Sequence, residues 1–283
     1  MSLELISESP GQVTFREYKE VPLQSGNIRI RSLFSSVKHG TEFRGFRADS
    51  ADASDRFDRD FRLHIRGDEV KGGFPKSLGN MALGEIIEIG DKVTGVKVGD
   101  QVFGHLPLRE THSVEPNKVE SCPEGVSRES LMYWDPAAVA VGGVRDGNVR
   151  LGDTVAVFGL GAIGQMAVQL SRMAGASWVA AIDPIERRRQ AALHYGADLV
   201  LDPKVDDVGL DIKSQTDRLG VDVALETSGI SQALNDALRS ARFQGTVVST
   251  AYYTGPMQGL FFSGEWHRNR VKILSSRSNS EPL

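Results

Sequence analysis

Cysteine is almost missing from this chain: Cys122 is the single one in 283 residues. An intrachain disulfide and an all-cysteine zinc site are therefore excluded, and a reducing compartment fits. Cys122 precedes Pro123 in the turn-like ESCPEGVS, the setting of a spectator thiol. Long apolar runs are missing too. No stretch approaches the length that spans a bilayer, and the opening MSLELISESPG has neither the basic start nor the apolar core of a secretory signal. No membrane partner is expected, and a cytoplasmic location follows by default. Charge of one sign is equally scarce: 33 basic and 37 acidic residues leave a formal −4 with no dominant block, which is not the footprint of a nucleic-acid binder. A chain of this length that is 40% hydrophobic can bury a large core, and its length points to two domains.

What is present is organised around Thr154–Asp183, TVAVFGLGAIGQMAVQLSRMAGASWVAAID. Val155, Ala156, Val157 and Phe158 form an apolar run suited to a parallel sheet, and Gly159, Gly161 and Gly164 follow in G-x-G-x-x-G spacing. From Ile163, apolar residues recur at Ala167, Leu170 and Ala174, a helical face that Gly175 stops. A second apolar run, Trp178 to Ile182, ends in Asp183. The three glycines differ in what they permit. Gly159 lets the chain turn, Gly161 leaves room for a pyrophosphate, and Gly164 lets the helix pack close to the strand. The helix N-terminus offers unpaired N–H groups to the phosphates. Asp183 can accept hydrogen bonds from the adenosine ribose hydroxyls and would repel a 2′-phosphate, so NAD is favoured, with NADP possible. Of Arg187, Arg188 and Arg189, one can reach a 2′-phosphate; the other reading of all three is solvated charge on a helix. The expected cofactor contacts are Gly159, Leu160, Gly161, Ala162, Ile163, Gly164, Asp183 and Arg188.

N-terminal to that stretch the pattern is β-rich. Val13 to Phe15 and Asn27 to Phe34 read as strands, the second with Ile28 and Ile30 alternating with Arg29 and Arg31. The loop Ser36-Val37-Lys38-His39-Gly40-Thr41-Glu42 carries an imidazole, a hydroxyl and a carboxylate within four residues. Residues 44–76 are dense in alternating charge, punctuated by phenylalanines, and read either as a surface loop or as a lid, such as a short amphipathic helix over a pocket. Gly79 to Phe103 reads as two or three strands, with the Val93, Val96, Val98 and Val102 series suited to a small barrel. C-terminal to the glycine stretch, regular βα units are expected: helix Glu186 to Tyr195, strand Leu199 to Leu201, a helix ending near Gly220, strand Val221 to Leu225, helix Ser231 to Arg242, strand Thr246 to Ala251 and strand Val271 to Leu274, all strands parallel.

The phrase GNMALGEIIEIGDKVTGVKVGDQVF, together with VRLGDTV at Val149 to Val155, resembles the medium-chain dehydrogenase/reductases, the zinc-type alcohol dehydrogenase superfamily. The resemblance implies an α/β fold: an N-terminal GroES-like β-barrel domain, residues 1–135, and a doubly wound parallel-sheet Rossmann domain, residues 136–283. It also implies a closing return to the first domain that is absent from this sequence. GGVRDGNVRLGDTVAVFGLGAIG, LETSG and SGEWHRNRVKILSS look like the hydroxyethyl-bacteriochlorophyllide dehydrogenase-like branch, which is short and lacks the standard zinc ligands.

Carried over by motif, the resemblance places His39 where many relatives have a zinc-binding cysteine, and Asn80 and Met81 where they have histidine and glutamate. Asp135, before Pro136, matches the third ligand. Two candidate ligands do not make a stable zinc site, which needs three protein donors and an open position, so no metal is expected; His105 or His64 would be the replacement ligand otherwise. Catalysis without zinc then falls to His39 as general acid/base, oriented by Asp135, with Thr41 relaying the proton toward the cofactor ribose. The plainer readings are a hydrogen-bonded loop histidine, a helix cap and a turn hydroxyl. Arg44 stands where relatives have a relay histidine and can bind a substrate carboxylate. Thr227, Ser228, Gly229 and Ala251 would line the cofactor, with Tyr252 beside Ala251, while His267 reads as a surface histidine on a short helix. The implied activity is hydride transfer between NAD(H) and a small-molecule secondary alcohol or carbonyl. The alternative is a catalytically inactive NAD(H)-binding sensor or partner-binding protein. The last strand implies a homodimer built on a continuous sheet.

Overall fold

The computed structural model describes residues 1–38, 40, 42, 46, 56–65, 74–253 and 257–277. The chain divides into two compact units, Met1–Trp134 and Asp135–Leu283.

The first unit is antiparallel. Its strands are β1 (Ser2–Ser9), β2 (Gln12–Tyr18), β3 (Ile28–Ser36), β4 (Arg56–Asp58), β5 (Leu63–Ile65), β6 (Lys76–Ser77), β7 (Met81–Ile89), β8 (Gln101–Gly104), β9 (Thr111–Val114) and β10 (Glu120–Ser121), followed by helix α1 (Arg128–Leu131). They form the sheets β2-β1-β6, β10-β8-β7-β3-β9 and the hairpin β4-β5. Strand β7 is buried on both faces, which explains why its sequence is nearly all apolar from Met81 to Ile87. Ala82 and Ile86 pack with Ile28, Ile30 and Val102, while Met81 and Leu83 pack with Phe103, Leu131 and Met132.

Gly79 to Phe103 holds two strands, β7 and the start of β8, as expected; the stretch between them is turns, where Val93 and Val96 pack on the core and Val98 is exposed. Within the charge-dense segment, residues 56–65 form the β4-β5 hairpin, not a helix. Asp58 Oδ1 caps the turn by accepting from the Asp60 and Phe61 N–H groups. Residues 47–55 and 66–73 of that segment lie outside the described residues.

The second unit begins in helix α2 (Trp134–Asp146) and continues as β11 (Thr154–Phe158), α3 (Ala162–Met173), β12 (Trp178–Ile182), α4 (Glu186–His194), β13 (Leu199–Leu201), α5 (Val208–Gln215), β14 (Val221–Glu226), α6 (Ser231–Ser240), β15 (Ala241–Ser249) and β16 (Lys272–Ser275). The strands form one parallel sheet in the order β13-β12-β11-β14-β15-β16, the doubly wound order with its switch point between β11 and β14. The α/β fold and the parallel strands are those expected. Alternation along the strands divides the core in two. Val155, Val157, Val179, Ala181 and Leu225 face Ala140, Val144, Ala167 and Val168 of α2 and α3. Ala156, Phe158, Ala180 and Ala224 face Ile212, Leu234 and Leu238 of α5 and α6. Phe158 is wholly buried, and a side chain of that size contributes roughly 1.5–3 kcal/mol by leaving water. The helix expected to run to Arg242 stops at Ser240, because Ala241 already pairs with Val221 and carries the chain into a long strand that absorbs Gly245. Among the described residues no helix is long and apolar enough to cross a membrane.

Candidate cofactor and active site

The residues of the second unit expected to bind the cofactor gather at the carboxyl ends of β11, β12, β14 and β15. Gly159 leaves β11 with φ +85°, a conformation that L side chains rarely adopt, and a Cβ there would come within 2.7 Å of the Ser228 Cβ. Gly164 sits in the first turn of α3, where a Cβ would lie 1.8 Å from the Gly159 carbonyl oxygen. Gly161 differs from both: it has φ −71° and nothing within 4 Å of a built Cβ. The three glycines thus separate into two required by the protein's own packing and one that borders open space. That space lies at the N-terminus of a twelve-residue helix whose cap residue has no side chain, so its first N–H groups and partial positive charge are turned toward it.

Asp183, the residue after β12, is almost fully buried. Its Oδ2 accepts from the Leu160 N–H at 2.8 Å and lies 3.3 Å from Arg188 Nη1, and its Oδ1 accepts from the Ile185 N–H at 2.8 Å. The carboxylate therefore fixes the glycine turn, and Oδ1, with the Ile185 N–H as its partner, retains further acceptor capacity. Leu160 is buried, so it offers only its backbone; Ala162 is exposed, and Ile163 packs partly against the core. Arg189 donates to the Asp183 carbonyl at 2.7 Å and pairs with Asp202 at 3.0 Å, which makes it structural.

Across the switch point, Thr227 Oγ1 donates to the Gly159 carbonyl at 2.7 Å, and Ser228 lies against Gly159. Ser228 and Tyr252 are exposed, and Gly229 and Ala251 are partly exposed. Beneath them is a residue that the sequence pattern does not single out. Glu226 is fully buried, and its carboxylate accepts from the Ser228 N–H at 2.7 Å, the Gly229 N–H at 3.1 Å and the Tyr253 hydroxyl at 2.5 Å. Burial and the adjacent Glu226 charge push the Tyr253 phenol well above its usual range. The only local signal is an acid at the end of an apolar strand, followed by Thr-Ser-Gly.

In the first unit, His39, Thr41 and Arg44 lie outside the described residues. Of their loop, Glu42 is described: burial pushes its carboxyl up, opposed by a hydrogen bond from Gly79. Asn80 donates its N–H to the Ser36 carbonyl at 3.0 Å, and its own carbonyl lies 3.3 Å from His105 Nδ1. Met81 is buried in the apolar cluster with Phe103 and Leu131. His64 lies on the β5 edge of the hairpin, exposed. Asp135, in the first turn of α2, is buried. Among the described residues no three His, Cys, Asp or Glu side chains gather as a metal site. Cys122 is half-buried and its thiol is pushed up by burial, as befits a spectator.

The chain is 41% identical over 289 residues to the D-guloside 3-dehydrogenase of Escherichia coli K12, covering 99% of this chain and 82% of that protein. It belongs to the zinc-binding dehydrogenase family. The profile of that family, zinc-binding dehydrogenase, matches residues 162–282, from the helix after the glycine turn onward. The (R,R)-butanediol dehydrogenase of Bacillus subtilis is 31% identical over 202 residues, 62% of this chain and 58% of that one. Among solved structures, the 2R,3R-butanediol dehydrogenase of Bacillus subtilis superposes with a TM-score of 0.78 over 97% of this chain and 84% of that one, at 22% identity. As a zinc-binding dehydrogenase by descent, the protein is an oxidoreductase acting on alcohols.

Proposed function

We propose that the protein transfers a hydride between NAD(H) and a secondary alcohol or its carbonyl, on a polyhydroxylated sugar-like substrate, without a catalytic zinc. The observation that carries the cofactor reading is the glycine turn, closed at Gly159 and Gly164 and open at Gly161. The nicotinamide, when bound, supplies the hydride donor or acceptor. The chain's own residues would do the rest. The N–H groups at the start of α3 would bind the pyrophosphate, Asp183 the adenosine ribose hydroxyls, and Thr227, Ser228, Gly229 and Ala251 the other half. His39 would hold the proton exchanged with the substrate hydroxyl, positioned by Asp135, with Thr41 relaying it. The sugar-like substrate is inferred from the D-guloside 3-dehydrogenase relative, whose named position is a secondary hydroxyl.

The family's zinc does not fit the donors present. Where relatives have histidine and glutamate, this chain has Asn80, an amide, and Met81, packed in the core. This departure also favours the branch that lacks standard ligands. Purified enzyme is expected to oxidise secondary hydroxyls of sugar glycosides or sugar acids with NAD, and to retain that turnover after exhaustive chelation. Asp183→Ser should lower kcat/KM for NAD by about tenfold or more and narrow the preference over NADP, since the ribose acceptor is lost while Arg188 is freed for a 2′-phosphate. Tighter NADPH than NADH binding by the unmodified protein would overturn the NAD assignment, and NADH binding without turnover on any alcohol or carbonyl would favour the inactive sensor. The exposed edge strand β16, with Ile273 and Leu274 open to solvent, supports a homodimer through strand pairing. Light scattering should give twice the chain mass, and Ile273→Lys with Leu274→Glu should reduce it to one.

A further inference from the structure

The two loops that leave β14 and β15 share one buried anchor. Glu226 closes β14 and has no solvent exposure. Its Oε1 accepts from the Ser228 N–H, the Ser228 hydroxyl and the Gly229 N–H, all in the loop after β14. Its Oε2 accepts from the Tyr253 hydroxyl at 2.5 Å, in the loop after β15, and its carbonyl accepts from the Thr250 N–H at 2.9 Å. Ser249 Oγ lies 3.1 Å from the same phenol. One carboxylate thus joins the two loops, and Thr227, the next residue, ties the first of them to the glycine turn through the Gly159 carbonyl.

The sheet order says which half of a dinucleotide these loops meet. With the adenosine on Asp183 at β12 and the pyrophosphate at the β11 turn, the only continuation along the carboxyl edge runs over β14 and β15. We propose that Glu226 is a positioning residue for the nicotinamide half of the cofactor: it touches no ligand itself but holds Ser228, Gly229 and the loop after β15 in the arrangement that receives that half. The proposal rests on the cofactor reading above. It deepens that reading by separating the two halves of the site, since nothing Glu226 holds belongs to the adenosine half. A purely structural role for a buried acid would weaken both halves together.

The experiment compares binding of NADH and of ADP-ribose, which lacks the nicotinamide ring, to the full chain and to Glu226→Ala, Glu226→Gln and Tyr253→Phe. Removing the anchor leaves the Ser228 and Gly229 N–H groups without their acceptor, so Glu226→Ala should weaken NADH by about tenfold or more while ADP-ribose changes by less than about threefold. Glutamine offers one oxygen to those N–H groups and an amide N–H to the Tyr253 oxygen, so Glu226→Gln should restore most of the NADH affinity. Tyr253→Phe removes only the cross-link to the second loop and should fall between the two; it carries the test if Glu226→Ala does not fold. Equal loss of both ligands, or unchanged NADH binding in all three variants while the unmodified protein binds it, overturns the role of Glu226 alone. Failure of the unmodified protein to bind either ligand overturns the cofactor reading and this proposal with it.

Discussion

Gly164→Ala is expected to destabilise the second unit by about 3 kcal/mol or more, whereas Gly161→Ala should leave its stability unchanged or raise it slightly and still weaken NADH by about tenfold or more. The contrast follows from what a methyl group meets at each site. At 164 it would sit 1.8 Å from the Gly159 carbonyl oxygen, and 3.1 Å from Thr227 Oγ1. Neither the start of α3 nor the β11 turn can move alone. Gly159 is pinned by its N–H to the Ile182 carbonyl, and its own carbonyl is held by Thr227. The clash is therefore with backbone on both sides and relaxes only by displacing the helix from the sheet. At 161 the backbone is already in a conformation that alanine adopts freely, and the methyl would project into open space. Fewer unfolded conformations then offset any small loss, so thermal unfolding should not fall. On the proposed cofactor reading the methyl would occupy the room of the pyrophosphate, and the loss should appear in cofactor titration only. Equal melting temperatures for the two variants, or undiminished NADH binding by Gly161→Ala, would remove the assignment of roles among the three glycines.

The same contrast shows where local sequence is informative. The roles of Gly159 and Gly164 can be read in advance because strand, turn and helix succeed one another within a few residues, and each glycine meets atoms of its own βα unit or the next strand. The alternating apolar strands and the parallel order of the second unit are legible for the same reason. Glu226 is not, because its partners come from two loops, and Tyr253 lies 27 residues along the chain. Arg29 is a second case. In the pattern IRIR it reads as the solvent side of β3, yet it is buried, its Nε 2.7 Å from Glu88 and its Nη1 paired with Glu20. The first lies on β7 and the second before β3, so only the assembled sheet turns a surface arginine into a buried one. The loop from Ser36 to Glu42 is legible in sequence as candidate chemistry, His39 and Thr41 with Glu42, but local pattern does not assign a partner to any of them.

Acid should destabilise the first unit through one buried imidazole. His112 lies on β9 opposite Ile30 and is 3% exposed, with its Nε2 3.0 Å from the Ser32 hydroxyl, which itself donates to the Arg109 carbonyl. The neutral ring with a proton on Nε2 satisfies this arrangement. Burial, reinforced by the Arg109 cation and partly opposed by Glu20, pushes the imidazole down to about 4. The unfolded chain takes up its proton near pH 6.5 and the folded one only near pH 4, so between those values the unfolded state binds more protons. The contribution of this group is thus fully present above pH 6.5 and lost as pH falls toward 4, by about 2 kcal/mol at pH 5 and about 3 kcal/mol at the end of the window. His112→Gln keeps an amide donor for Ser32 and removes the titration. Its stability at neutral pH should be modestly lower, because the fit is poorer, but its fall between pH 6.5 and 4.5 in urea unfolding should be much shallower than that of the unmodified protein. Parallel pH profiles for the two proteins would show that the acid sensitivity of this unit lies in other groups.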